Sequence, residues 1–175
     1  TLVTGLVSHE ATPEQTEQME ENARAFALLL QLVNVAKDAA TDIEEENNVY
    51  LPLELLNEEG LDHSDVGDPE NVDSLVPVIE RVTARAARYL DGAQRWLEAM
   101  PETRGNTLSA WAIPFLLAVG TIRELRERPH DVVREGNVKI TRDEVHAVCQ
   151  QFVGDATPAV GELRTRIRRQ PLHQY

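Results

Sequence analysis

The chain has 175 residues, about one domain's worth at the usual ~150 residues apiece. Hydrophobic residues make up 42% and charged ones 27%, which excludes a disordered, collagen-like or disulfide-stapled chain. Thirty acidic against 17 basic residues leave a net charge of −13, with arginine supplying fifteen of the 17, so there is no broad cationic face for a nucleic-acid backbone.

The single cysteine, Cys149, excludes an intramolecular disulfide and any multi-cysteine metal site. It reads as a small buried apolar residue in a reducing, cytoplasmic compartment. Abundant carboxylates beside only two lysines, Lys37 and Lys139, also suit a high-salt cytoplasm. The chain opens without methionine on Leu2-Val3-Thr4-Gly5-Leu6-Val7, as a piece of a longer polypeptide would. The longest apolar stretch, Trp111 to Ile122, contains Pro114 and is shorter than the ~18 residues that a bilayer span requires.

Proline, glycine and capping residues punctuate the rest into helices, predicting an all-α fold and a single helical domain over residues 1–175. Thr12-Pro13-Glu14-Gln15 combines an N-cap hydroxyl, a proline at the first helical position and a glutamine placed for a capping box. That helix should run to about Asp42. Pro52 starts a short helix ending at Gly60, and an acidic surface loop follows from Leu61 to Glu70. From Asn71 to Met100 one helix is predicted, with Leu75, Ile79, Val82, Ala86, Tyr89, Leu90, Ala93, Trp96 and Leu97 as its core stripe. After a turn at Arg104-Gly105-Asn106, Leu108 to Arg128 forms another helix that Pro114 should kink. Thr141-Arg142-Asp143-Glu144 reads as a second capping box, and Thr157-Pro158 as the start of the last helix. The Arg164, Arg166, Arg168 and Arg169 cluster reads as a solvated helix end. The five histidines show no mutual metal spacing, and Ser8 and Ser109 have no recognisable catalytic partners.

Chemistry concentrates between Leu28 and Asp42. At about 100° per residue from Gln31, Asn34 falls near 300°, Asp38 near 340° and Asp42 near 20°, a narrow polar stripe on an otherwise apolar helix. Carboxylates among apolar walls need a cavity, a cation or both. Asp38 and Asp42, one turn apart, could share a hard divalent ion such as Mg2+ with waters and phosphate oxygens. Gln31 and Asn34 could hydrogen-bond a diphosphate, and Lys37, near 240°, could bring its ammonium to the rim. A solvated i,i+4 carboxylate pair, continuing into Glu44-Glu45-Glu46, fits the same spacing.

The pattern Gln31-x-x-Asn34-x-x-Lys37-Asp38-x-x-x-Asp42, followed by Val49-Tyr50-Leu51-Pro52, resembles the second aspartate-rich motif of the squalene/phytoene synthase family. Ala112-Ile113-Pro114, then Val133 to Gly136 and Val138-Lys139-Ile140, are similar to the C-terminal half of squalene synthases, and Val3-Thr4-Gly5-Leu6-Val7 to a helix of that branch. The resemblance implies a helical bundle of the isoprenoid synthase type, here its C-terminal fragment. It further implies head-to-head condensation of two farnesyl diphosphates through a cyclopropyl diphosphate and reduction by NADPH to squalene, or phytoene or dehydrosqualene formation without reduction. The Val138-Lys139-Ile140 block tilts the expectation towards the reductive branch. By resemblance Asp38 and Asp42 bind Mg2+, Asn34 and Lys37 contact the diphosphate or the nicotinamide cofactor, Gln31 is a polar residue lining the cavity, and Leu30, Trp111 and Pro114 line the prenyl pocket. Lys139 and Arg142 would hold the phosphate end of NADPH, or form a helix-flanking surface pair. Greasy substrate and product imply peripheral membrane contact. The family usually has arginine where Lys37 stands, glutamate where Thr41 stands and arginine where Asn48 stands. Its first aspartate-rich motif and catalytic tyrosine would lie upstream of Thr1, so this chain alone is expected to need the N-terminal half of the enzyme or, failing that, to be an inactive helical scaffold.

Overall fold

The computed structural model describes residues 5, 8–101, 107–136, 138–153 and 159–175. Among them the α-helices in chain order are α1 (Pro13–Lys37), α2 (Ala39–Glu46), α3 (Leu53–Glu58), α4 (Val72–Ala87), α5 (Leu90–Glu98), α6 (Thr107–Glu127), α7 (Pro129–Arg134), α8 (Arg142–Gln150) and α9 (Val160–Arg169), with no strand. The fold is all-α, as the sequence predicts. Apart from Gly5, the Val3–Val7 segment lies outside the described residues, as do the Arg104-Gly105-Asn106 turn and Thr157-Pro158.

The chain divides into two compact units: residues 1–30, 88–120 and 140–175, and residues 31–87 and 121–139. In the first, α1 begins on the predicted capping box: Gln15 N–H donates to Thr12 Oγ1 at 3.3 Å and Thr12 N–H to Gln15 Oε1 at 2.9 Å. Phe26, Trp96 and Trp111 form an aromatic cluster. The Phe26 and Trp96 rings are tilted by 36° with centroids 4.5 Å apart, and Trp111 meets both edge-on at 6.1 and 5.8 Å, the T-shaped geometry that ring quadrupoles favour. Helices α1 and α5 approach so closely that a Cβ on Gly92 would lie 2.6 Å from that of Ala25. Arg164 of α9 ties down α5 by donating to Asp91 Oδ1 at 2.6 Å and Gln94 Oε1 at 2.7 Å.

Thr141 caps α8, its hydroxyl accepting from Glu144 N–H at 3.2 Å. The Glu144 side chain, however, is buried and its Oε1 accepts from Leu172 N–H at 3.4 Å, which ties the C-terminal turn to α8. Cys149 is half-buried rather than buried.

The second unit packs α2, α3, α4 and α7 around Leu55, Leu56, Leu75, Ile79, Val82 and Val132. The helix predicted over 71–100 is two: α4 ends at Ala87 and α5 begins at Leu90, with Tyr89 as its N-cap. The apolar spacing runs through the break because Ala86 and Leu90 still stand four apart. The acidic loop contains two 3-10 turns, capped by Asp62 and Asp68, whose carboxylates accept from Ser64 N–H at 2.7 Å and Glu70 N–H at 2.9 Å. Helix α6 runs through Pro114. By length and composition it could cross a membrane, yet its Phe115, Leu116, Val119, Ile122 and Leu125 are buried within the protein.

Arg123, 5% exposed, donates to Glu124 Oε1 at 2.7 Å, and Arg128 to Glu124 Oε2 at 2.6 Å. Burial pushes the Glu124 carboxyl up, but the hydrogen bonds from Arg123 and Arg128 outweigh it and hold the carboxyl below its ordinary value. A lowered folded-state pKa means that the stabilisation is complete above the unfolded-state value and disappears as pH falls through the folded-state one. Urea unfolding is therefore expected to show a steeper loss of stability below the ordinary glutamate range in the wild type than in Glu124→Gln. Parallel pH profiles for the two would refute this account of the cluster.

Candidate functional site

The polar stripe lies in the second unit. Val33, Val35, Ala36 and Ala39 turn into the core, which fixes the rotation of the chain and leaves Gln31 and Asn34 exposed and Lys37, Asp38 and Asp42 half-buried. The helix expected to run to Asp42 breaks at Asp38, with φ −99° and ψ 7°, and resumes as α2 until Asn47 closes it in the left-handed conformation, φ 51° and ψ 41°. Backbone hydrogen bonds span the break: Asp38 N–H donates to Asn34 O at 2.9 Å and Asp42 N–H to Asp38 O at 2.8 Å. Asp38 and Asp42 thus keep one-turn spacing across it.

Both carboxylate oxygens of Asp38 are held by the Lys37 ammonium. Neighbouring residues on an unbroken helix do not face one another; this contact lies where the helix breaks. Sequence reasoning missed this pair, because it placed Lys37 about 100° from Asp38 on an ideal helix.

It also missed the close packing behind Thr41. Gly136, at φ +65°, packs against α2 so tightly that a Cβ there would lie 2.9 Å from Thr41 Oγ1 and 3.6 Å from the Ala40 Cβ. The two available signals were the glycine itself, within the Val133–Gly136 block, and the small Thr41 where the resembling family has glutamate. Gly136→Ala should cost about 1–2 kcal/mol of stability for the left-handed backbone alone. Adding Thr41→Ala should recover only the share due to the close contact. Urea melts of both variants check this, and an undisturbed single mutant would contradict it.

Behind the stripe, Ala39, Ala40, Leu51, Val66, Leu75, Ile79 and Val133 line a small apolar hollow. Of the Val49-Tyr50-Leu51-Pro52 segment, Leu51 is buried and its carbonyl lies 3.1 Å from His63 Nε2, while Tyr50 is exposed. Lys139 is exposed in this unit. In the first unit, Arg142 is exposed, Leu30 and Pro114 are half-buried, and Trp111 packs in the aromatic cluster.

The donor chemistry suits a hard divalent cation: two carboxylates one turn apart are the type of oxygen ligand that Mg2+ takes together with waters and phosphate oxygens. No group of three or more acidic, histidine or cysteine side chains able to hold a metal occurs among the described residues.

The model of the squalene/phytoene synthase family matches residues 1–144. Similar proteins include a 15-cis-phytoene synthase from Enterobacter agglomerans, 32% identical over 63% of this chain and 36% of its own length. A bifunctional lycopene cyclase/phytoene synthase from Neurospora crassa is 30% identical over 75% of this chain and 22% of its own. A 15-cis-phytoene synthase from Pantoea ananas is 30% identical over 63% and 34%. The chain spans about a third or less of these relatives. No solved structure matches it significantly.

Proposed function

The chain belongs to the squalene/phytoene synthase family, and we propose that it is part of a prenyl transferase of the phytoene synthase type, which joins two prenyl diphosphates head to head. The observation that carries this reading is that the named relatives are phytoene synthases. The reductive reading, squalene formation with NADPH, rests on the Val138-Lys139-Ile140 block and has no such support. Without reduction, the exposed Lys139 and Arg142 need hold no nucleotide.

In this proposal Asp38 and Asp42 hold Mg2+. When bound, the ion supplies positive charge to the departing diphosphate. The exposed amides of Gln31 and Asn34 donate hydrogen bonds to diphosphate oxygens, orienting the C–O bond that breaks. Lys37 adds a further cation beside them, and together these groups stabilise charge that develops as the bond ionises. The carbocation needs apolar walls that exclude water. The N-terminal half of the enzyme would supply the first aspartate-rich motif, and the prenyl chains would bring the enzyme to the membrane surface.

The test is product analysis. The full-length protein is incubated with radiolabelled farnesyl or geranylgeranyl diphosphate and Mg2+, with and without NADPH. An unreduced head-to-head product, the same with or without NADPH, is expected. A product that forms only with NADPH would restore the squalene reading, and no product under any condition would favour a scaffold.

A further inference from the structure

We propose that Lys37 is a placeholder cation: it occupies the Asp38 carboxylate until a divalent ion displaces it, and the freed ammonium then turns to the diphosphate that arrives with the ion. This rests on the reading of Asp38 and Asp42 as the metal pair. Three observations carry it. The ammonium engages both oxygens of Asp38, so a metal binding that carboxylate competes with it for the same oxygens. The pair is half-buried, with side-chain exposures of 21% for Lys37 and 27% for Asp38, which leaves it open to solvent and to exchange. And it forms where the backbone leaves regular helical geometry, at Asp38, rather than between two residues of an unbroken helix.

The residue type suits the role. Lysine carries a compact charge on a flexible four-carbon stem, whereas an arginine would grip the carboxylate with a planar fork and release it less readily. Before metal arrives, the ammonium spares Asp38 an unpaired, partly desolvated charge. Afterwards the same charge lies within a side chain's swing of the diphosphate. Metal and diphosphate binding are thereby coupled through one residue, which opposes the first and favours the second.

The test measures Mn2+ binding to the full-length protein by electron paramagnetic resonance, without substrate, and then inorganic pyrophosphate binding in the presence of Mn2+. Relative to the wild type, Lys37→Met should bind Mn2+ about two- to fivefold more tightly, the range set by a partly exposed ion pair, and pyrophosphate more weakly by a similar factor. Lys37→Arg should bind Mn2+ no more tightly than the wild type and retain pyrophosphate binding. Circular dichroism confirms that each variant is folded. Asp38→Asn and Asp42→Asn separate the two levels of the argument. If they weaken Mn2+ binding but Lys37→Met leaves it unchanged or weaker, the metal pair stands and the placeholder role is wrong. If neither aspartate variant alters Mn2+ binding, the metal pair itself is wrong and the role of Lys37 falls with it.

Discussion

Replacing Asp38 and Asp42 together by asparagine is expected to lower prenyl transfer by the full-length protein about a thousandfold, the scale on which preorganised charge stabilisation contributes to catalysis. Asparagine keeps the shape and the hydrogen-bonding oxygen of each side chain but removes the charge that would hold a divalent ion. Both positions are half-buried, and the ion pair lost with Lys37 is worth at most about 1 kcal/mol at such exposure. Thermal melting should therefore change by only a few degrees. This contrast between large kinetic and small stability effects separates a functional stripe from a solvated carboxylate pair, for which both would be small. Steady-state assays of diphosphate release, run beside the melts, make the comparison.

The second large effect is on stability. Trp96→Ala should destabilise the protein by about 3–5 kcal/mol. At this chain length that corresponds to a fall in melting temperature of roughly 10 °C. The indole is fully buried, packs against Phe26 in a tilted arrangement at 4.5 Å and is met edge-on by Trp111 at 5.8 Å. Its removal leaves a cavity between two other rings, neither of which can close it without losing its own packing. Trp111→Ala, at the half-buried edge of the cluster, should cost less. Equal losses from the two substitutions would mean that Trp96 is not the centre of this core.

The helical class and several helix starts were legible because they depend on local chemistry. Thr12 and Gln15 exchange the two hydrogen bonds that their spacing predicts, and Pro52 begins a short helix. Where the chain bends without glycine or proline, the sequence is silent. The breaks at Asp38 and at 88–89 leave the apolar spacing intact, so periodicity reads through both. Glu144 shows another limit: its position three residues after Thr141 suits a cap, while tertiary packing engages its carboxylate with Leu172. In the polar stripe, the aspartates and amides could be placed on one face from spacing alone. The grip of Lys37 on Asp38 and the pressure of Gly136 on Thr41 could not, since one depends on a local break and the other on residues 95 positions apart.

The central claim is that the stripe from Gln31 to Asp42 is a metal–diphosphate face. It is tested most directly by anomalous diffraction from crystals of the full-length protein grown with Mn2+ and a non-hydrolysable prenyl thiodiphosphate. The account predicts a manganese peak bonded to carboxylate oxygens of Asp38 and Asp42, with diphosphate oxygens completing the shell and the Lys37 ammonium moved from Asp38 to the diphosphate. Manganese and diphosphate bound elsewhere, with Lys37 still on Asp38, would contradict it.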